Sequence, residues 1–240
     1  LMELQLNSAL NNVNNVYFNV GWTFPSLTDE LVAVFQTYMN NGGNLLIAGQ
    51  DIGWETWEAA SYGYGSSATR YFYTNYLGAE HITDGSNASS TASFITTDSV
   101  FGSLTSTSNI IGPYDAASTH IYPDVMKVKD SSTIIGASAF LSYNDNPNLI
   151  GGVRYDNGTH KSVYLGVGLE MLDDSTMRME FLKTAHDWFY QTTSGIALDQ
   201  LFKDFKLYPN PGRDFINIDL GHLNEIMVVS LFDLKGQLVL

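Results

Sequence analysis

The pattern of hydrophobic and polar positions near the start of the chain predicts a strand, a helix and a second strand. Residues 16–20 form a β-branched and aromatic run that stops at Gly21, which is typical of a buried strand. Thr28 offers a side-chain oxygen that caps a helix, and residues 45–48 are a second apolar run. Between them, apolar residues recur at helical spacing at Leu31, Val34, Phe35 and Tyr38. Two strands joined by one helix predict a parallel crossover unit.

The pattern further along predicts a helix, an insertion, a hairpin and a closing helix. Residues 68–77 have helical spacing, whereas residues 81–133 are rich in Ser, Thr, Asp and Gly and predict an irregular insertion with a few short strands. Asp156-Asn157-Gly158 separates apolar runs at 149–155 and 161–167, and Asn-Gly favours the tight turn of a β-hairpin. Asp174 is placed to cap the closing helix, whose apolar face carries Phe181, Ala185, Trp188 and Phe189.

A change of pattern after residue 195 predicts three parts. Two prolines in Tyr208-Pro209-Asn210-Pro211 forbid regular structure there, and alternating apolar residues follow over 215–220. We therefore predict an α/β domain over 1–195, a linker over 196–205 and a β-sandwich unit that starts at 206. Because the chain opens without Met and stops within an apolar stretch, we expect an upstream domain to be missing and the β-unit to be incomplete at residue 240.

Composition removes several classes of function. The formal net charge of -14, with 11 basic residues, argues against nucleic acid as a partner, because phosphate binding needs clustered Lys and Arg. The chain has no Cys, which excludes disulfides, thiolate metal sites and a cysteine nucleophile. No apolar run approaches the roughly 20 residues of a transmembrane helix.

The C-terminal motifs resemble the type A sorting domain of type IX secretion cargo. The resemblance rests on Leu207-Tyr208-Pro209-Asn210-Pro211 and on the segment Val229-Ser230-Leu231-Phe232-Asp233-Leu234-Lys235-Gly236-Gln237. It implies that Tyr208, Pro209, Asn210 and Pro211 form the sorting motif and that the secretion machinery is a partner. It also implies a protein that is secreted, or attached to the outer surface of a Gram-negative bacterium. The final Gly-x-Tyr motif of that family does not occur within these residues.

The larger domain resembles the class I glutamine amidotransferase-like fold, which is a flavodoxin-like, three-layer α/β sandwich with a mainly parallel sheet. Gly49-Gln50-Asp51-Ile52-Gly53 follows a predicted strand, where that family carries its Gly-x-Cys-x-Gly nucleophile elbow. The resemblance implies that residues 16–20, 45–48 and 163–167 are neighbouring strands with helices on both faces. Asp51 stands at the reactive position, so glutaminase chemistry is excluded and the resemblance implies a pseudoenzyme.

Asp51 has two interpretations that the sequence leaves open. An Asp at a strand-to-helix turn commonly caps the helix with its carboxylate, and this structural role is the one we expect. Alternatively, Asp51 and Glu170 are a pair of catalytic carboxylates of a hydrolase. Nearby aromatic residues are candidates for stacking on sugar rings: Trp54, Trp57, Tyr62 and Tyr64.

Metal chemistry has little support in the sequence. The five histidines show no metal-ligand spacing, so we predict no metal site and no cofactor. Calcium remains an alternative, because oxygen ligands are frequent in Asn- and Gly-rich loops that carry Asp84, Asp98, Asp145 and Asp156.

Three functions follow from these observations. We expect a non-catalytic scaffold or binding module of an exported protein. The alternatives are a hydrolase that uses Asp51 and Glu170, and an accessory domain of a secreted peptidase whose active site lies upstream.

Overall fold

The structure is a computed structural model that describes residues 10–58, 65–85, 90–113, 119–130 and 136–191, together with two short strands at 206–208 and 217–219. The chain divides into two compact units, Leu1–Gln191 and Thr192–Leu240. The exact boundaries that we predict for the domain (1–195), the linker (196–205) and the sorting unit (from 206) stay predictions. Tyr208 ends one of the two short strands, whereas Pro209, Asn210 and Pro211 lie outside the described residues.

The described part of the first unit contains nine strands and four α-helices. The strands are β1 (Asn15–Gly21), β2 (Asn44–Gly49), β3 (Ala79–Asp84), β4 (Thr91–Phe94), β5 (Thr107–Asn109), β6 (Asp124–Val128), β7 (Ala137–Tyr143), β8 (Asn146–Asp156) and β9 (Lys161–Leu165). The α-helices are α1 (Asp29–Asn40), α2 (Ile52–Trp57), α3 (Ser67–Asn75) and α4 (Ser175–Tyr190). A short 3-10 helix spans Leu169–Met171. In the second unit, β10 (Lys206–Tyr208) pairs antiparallel with β11 (Asn217–Asp219).

The nine strands form one mixed sheet with the order β1-β2-β9-β8-β7-β4-β5, to which β6 is attached through β8 and β3 through β6. The predicted neighbours β1, β2 and β9 are adjacent and parallel, which confirms this part of the prediction. Every other strand pair is antiparallel among the described residues. The parallel arrangement is therefore confined to one side of the sheet.

The flavodoxin-like three-layer sandwich with a mainly parallel sheet is consequently wrong, and the fold is mainly β. The sheet is not mainly parallel because the connections between β7, β8 and β9 are short. Asn144 and Asp145, both at φ 53°, form the tight turn from β7 to β8. The predicted Asn157-Gly158 turn joins β8 to β9. Connections this short join only antiparallel neighbours, and the insertion supplies further antiparallel strands.

Buried side chains alternate between the two faces of β2 because successive side chains in a strand point in opposite directions. Leu45 and Ile47 pack with side chains of α1 and α3, whereas Leu46 and Ala48 pack with α4. Helices therefore cover both faces of the parallel side of the sheet, as expected.

The predicted helix caps are present. Leu31 donates its backbone N–H to Thr28 Oγ1 over 3.2 Å at the start of α1, and Met177 donates to Asp174 Oδ1 over 2.6 Å at the start of α4. Each cap satisfies a backbone donor that has no partner within its own helix. These caps fix the residues at which α1 and α4 begin.

Candidate binding site

The candidate site lies at the carboxyl ends of the parallel strands β1 and β2, where open sheets commonly place ligands. The backbone N–H of Gln50 donates to Gly21 O over 3.0 Å and holds the two strand ends together. A Cβ on Gly49 would lie 3.0 Å from Val20 Cβ and 3.1 Å from Gly21 O. The close approach of the chains thus explains the glycine directly before the turn.

Asp51 occupies the sharp turn between β2 and α2, as predicted, with φ 60° and ψ 10°. This left-handed conformation is uncommon for residues other than glycine, although Asp tolerates it better than most. The side chain makes no capping hydrogen bond to α2. Its Oδ2 instead accepts the indole N–H of Trp22 over 2.7 Å, and the residue is only 5% exposed. The expectation that Asp51 caps the helix is therefore wrong.

Asp124, at the first position of β6, supplies the cap that was expected from Asp51. Its carboxylate accepts the backbone N–H groups of Gly53 over 2.7 Å and Trp54 over 3.2 Å. It also accepts the hydroxyl of Tyr164 over 2.5 Å, and it is fully buried. Asp51 has a left-handed backbone conformation, and its side chain is bonded to Trp22 and not to α2. The N–H groups at the start of α2 are therefore capped by Asp124 from β6.

Burial shifts the pKa of both carboxyl groups upward. Desolvation raises the pKa of Asp51 to about 7, the Trp22 hydrogen bond opposes this shift, and the charges of Asp84 and Glu55 reinforce it. Desolvation likewise raises the pKa of Asp124 to about 8, against the hydrogen bonds from Gly53 and Tyr164. Asp51 therefore changes protonation state near neutral pH.

Among the described residues, five rings in mutual contact lie beside the Asp51 turn, and we call Trp22, Phe24, Trp54, His120 and Tyr122 the aromatic cluster. The Trp22 ring stacks on His120 with centroids 5.2 Å apart, and it lies 6.1 Å from Tyr122. Phe24 meets Trp22 at 6.4 Å and Trp54 at 6.1 Å, nearly perpendicular to both. Phe24 nevertheless remains 40% exposed. The cluster thus presents a rigid aromatic surface beside a buried carboxylate.

Gln50 positions one side of the aromatic cluster. Its buried amide donates from Nε2 to His120 O over 3.3 Å and accepts the Tyr122 N–H at Oε1 over 2.9 Å. These two hydrogen bonds fix the backbone that carries His120 and Tyr122 against Trp22. Sequence reasoning missed Gln50, His120 and Tyr122, because no local pattern connects residue 50 with residues 120–122. A signal for Trp22 was present, since it directly follows a strand-ending glycine.

Glu170 lies beside the end of β1 within the 3-10 helix. Its Oε2 accepts the side-chain N–H of Asn19 over 2.8 Å, and a Cβ on Gly21 would lie 2.8 Å from its Oε1. No contact joins Glu170 to Asp51 among the described residues, and the charges that raise the pKa of Asp51 belong to Asp84 and Glu55. The predicted carboxylate pair therefore stays without structural support.

The other predicted binding residues separate. Trp54 belongs to the aromatic cluster, whereas Trp57 packs edge-on against Tyr73 and lies under the guanidinium of Arg70 at 5.4 Å. Tyr62 and Tyr64 lie outside the described residues.

Within the described ranges, no group of three His, Asp or Glu side chains is arranged to hold a metal ion. Two carboxylates of the calcium alternative are engaged elsewhere: Asp98 accepts from Arg154 over 2.8 Å, and Asp145 accepts from Ser93 over 2.7 Å. A calcium role for these aspartates stays an untested prediction. None of the helices in the described part of the chain has the length and apolarity to cross a bilayer.

Comparison with known families identifies the C-terminal end. Residues 206–240 match the secretion system C-terminal sorting domain, as the Tyr208 motif predicted. The chain therefore carries the sorting tail of type IX cargo and is a secreted or cell-surface protein that interacts with that secretion machinery. No curated protein matches the sequence.

Comparison with solved structures concerns the larger unit. The mmIFT52 N-terminal domain is similar, with 14% identity, coverage of 79% of this chain and 83% of that chain, and a TM-score of 0.50. At this identity the likeness shows the fold alone. These comparisons give no support to the glutamine amidotransferase-like assignment.

Two glycosidases also align, at TM-scores too low to carry a conclusion. They are the exo-β-1,4-mannosidase Op5Man5 from Opitutaceae bacterium strain TAV5, with 14% identity and a TM-score of 0.38, and a β-galactosidase from Bacillus circulans sp. alkalophilus, with 10% identity and a TM-score of 0.44. The alignments cover 74% and 72% of this chain, but 24% and 22% of those enzymes.

Proposed function

We propose that the first unit is a non-catalytic binding module of a protein exported by the type IX secretion system and attached to the outer surface of a Gram-negative bacterium. The match of residues 206–240 to a sorting domain supports the route. The arrangement around Asp51 supports the binding role. We propose attachment to the surface rather than release into the medium.

The observation that carries the binding role is the hydrogen bond from Trp22 Nε1 to Asp51 Oδ2. It orients a buried carboxylate beside a partly exposed aromatic cluster. Binding sites commonly combine apolar and aromatic walls with a few oriented polar groups. Most glycosidases, by contrast, use two carboxyl groups that flank the scissile bond and lie about 5–10 Å apart. The expected partner Glu170 instead binds Asn19 beside Gly21.

A hydrolase is the second candidate, and one observation favours it. The pKa of Asp51 is raised to about 7, and a group that titrates near the working pH suits general acid and base catalysis. The role of accessory domain in a secreted peptidase stays a prediction that depends on sequence upstream.

Turnover assays separate the two candidates. The wild-type chain and the Asp51→Asn variant are incubated with chromogenic glycosides and esters, and product release is measured against buffer. The binding module predicts no turnover by either protein. Turnover by the wild type that the Asn variant lacks, with both proteins folded, would establish the hydrolase and refute our proposal.

Export is tested by following the chain in a bacterium with a type IX system. In the protein as its natural gene encodes it, deletion of residues 206–240 should leave the product in the periplasm, whereas the undeleted protein should reach the cell surface. Tyr208→Ala tests the predicted sorting motif in the same assay. Surface delivery of the deleted chain would contradict this part of the proposal, and release of the intact chain into the medium would contradict attachment.

A further inference from the structure

We infer that the ligand of the aromatic cluster is a neutral saccharide, whose ring stacks on Phe24 and whose hydroxyl group donates a hydrogen bond to Asp51 Oδ1. This inference rests on the proposed binding function and names its ligand class. It is carried by the ring geometry, by the orientation of the Asp51 carboxylate and by the charges around it.

Phe24 provides the stacking surface. It is 40% exposed although two neighbours, Trp22 and Trp54, hold it at interplanar angles of 72° and 70°. An exposed ring held by two others binds without losing much conformational freedom. The apolar C–H face of a sugar ring matches the face of such a ring in size and polarity, so a saccharide fits this surface.

Asp51 provides the polar contact. Trp22 occupies Oδ2, and among the described residues no donor reaches Oδ1. Oδ1 is not among the buried side-chain atoms that lack a partner, so it keeps access to solvent, and a ligand hydroxyl can take the place of water as its donor. With Asp51 only 5% exposed, the site suits a single hydroxyl that reaches inward while the ring remains on the aromatic surface.

Local charge favours a neutral ligand. The carboxylates of Asp84 and Glu55 act on Asp51 and oppose an anion at this position. An organic cation would be held best by an ionised carboxylate, but burial raises the pKa of Asp51 to about 7, so much of the counter-charge is missing at neutral pH. A hydroxyl group can donate to Oδ1 of the ionised carboxylate, which forms the stronger hydrogen bond, or accept from Oδ1 of the protonated one, so its binding does not require a full counter-charge.

The test uses the full 240-residue chain and measures binding by isothermal titration calorimetry. Cellohexaose, mannohexaose, xylohexaose and maltohexaose are the saccharide probes, and tetramethylammonium chloride is the cation probe. We expect at least one hexasaccharide to bind at micromolar to millimolar concentration and tetramethylammonium not to bind.

Three variants place the binding on the named residues. Phe24→Ala should weaken saccharide binding about tenfold, since it removes one aromatic contact. Asp51→Asn should weaken it about five- to tenfold, because Trp22 then takes the one remaining acceptor oxygen and the ligand meets an amide donor. Tyr190→Ala is the matched control, because Tyr190 is an exposed aromatic residue on α4, at 58% exposure, and its loss should leave the affinity unchanged. Thermal unfolding verifies that each variant is folded.

The possible failures of the inference are distinguishable. If no hexasaccharide binds, or if Phe24→Ala and Tyr190→Ala affect binding equally, the saccharide inference is refuted. If tetramethylammonium binds and Phe24→Ala weakens it, the ligand class is wrong while the proposed binding function survives. If a hexasaccharide is cleaved by the wild type but not by Asp51→Asn, both the inference and the proposed function are overturned.

Discussion

Replacing Asp124 by alanine removes the only side chain that caps α2 among the described residues. Gly53 N–H, Trp54 N–H and Tyr164 O–H then lose their common acceptor. Asp124 and Tyr164 have no exposed surface, so water does not readily replace the lost carboxylate. The α2 turn also carries Asp51, so the substitution disturbs the candidate site as well as the fold.

The size of the effect follows from these three donors. A buried donor left without a partner costs about 1–3 kcal/mol, and such costs add incompletely within one network. We therefore expect Asp124→Ala to reduce the free energy of unfolding by about 3–5 kcal/mol. Asp51→Ala removes a single hydrogen bond to Trp22 and should cost about 1 kcal/mol.

Urea denaturation followed by far-ultraviolet circular dichroism measures both variants. Asp124→Asn is the matched control, because its amide oxygen retains one acceptor in the same shape and should recover part of the loss. If Asp51→Ala proves as destabilising as Asp124→Ala, then Asp51 is the functional cap and our assignment of the two carboxylates is wrong.

Three further predictions concern backbone strain, pH and a buried ion pair. The free energy of unfolding in urea should be about 1 kcal/mol higher for Asp51→Gly than for Asp51→Ala, because glycine adopts φ 60° without strain. Equal free energies would argue against strain at this turn. Both buried carboxyl groups have a raised pKa in the folded state, so the folded chain binds more protons than the unfolded chain and stability is lost as pH rises. The temperature of half unfolding should therefore decrease as the pH is raised from about 7, where unfolded histidine is mostly neutral, to about 8, and it should decrease less in Asp51→Asn; an increase in the wild type would contradict the direction of these shifts. Asp98→Ala should cost about 3–5 kcal/mol in the same denaturation assay, because it leaves the Arg154 guanidinium, whose side chain is only 11% exposed, without its carboxylate; a loss below 1 kcal/mol would show that water compensates the guanidinium.

Local signals in the sequence predicted the elements that depend on local chemistry. Thr28 and Asp174 begin the helices that they cap, and Asn157-Gly158 forms the turn of the predicted hairpin. The parallel neighbours β1, β2 and β9 were also predicted. The overall sheet was not, because pairing partners such as β4 with β7 depend on contacts between segments that are distant in the sequence.

The candidate site shows the same division. The position of Asp51 at a strand-to-helix turn was predictable from the glycines around it, but the partner of its carboxylate was not. Caps usually come from the residue at the helix start, whereas here the cap comes from Asp124, 71 residues from Gly53 in the sequence. The aromatic cluster assembles from three separate segments, so only Trp54 could be identified from the neighbourhood of Asp51.

The central claim is that Asp51 binds a ligand and does not transform it. The most direct test is a calorimetric titration with the hexasaccharide that binds. After the titration, the sugar is recovered from the calorimeter cell and analysed by chromatography. We predict saturable heat with the wild-type chain, weaker binding with Asp51→Asn, and a ligand that is recovered intact from both. Recovery of cleaved ligand from the wild type and intact ligand from Asp51→Asn would contradict the account.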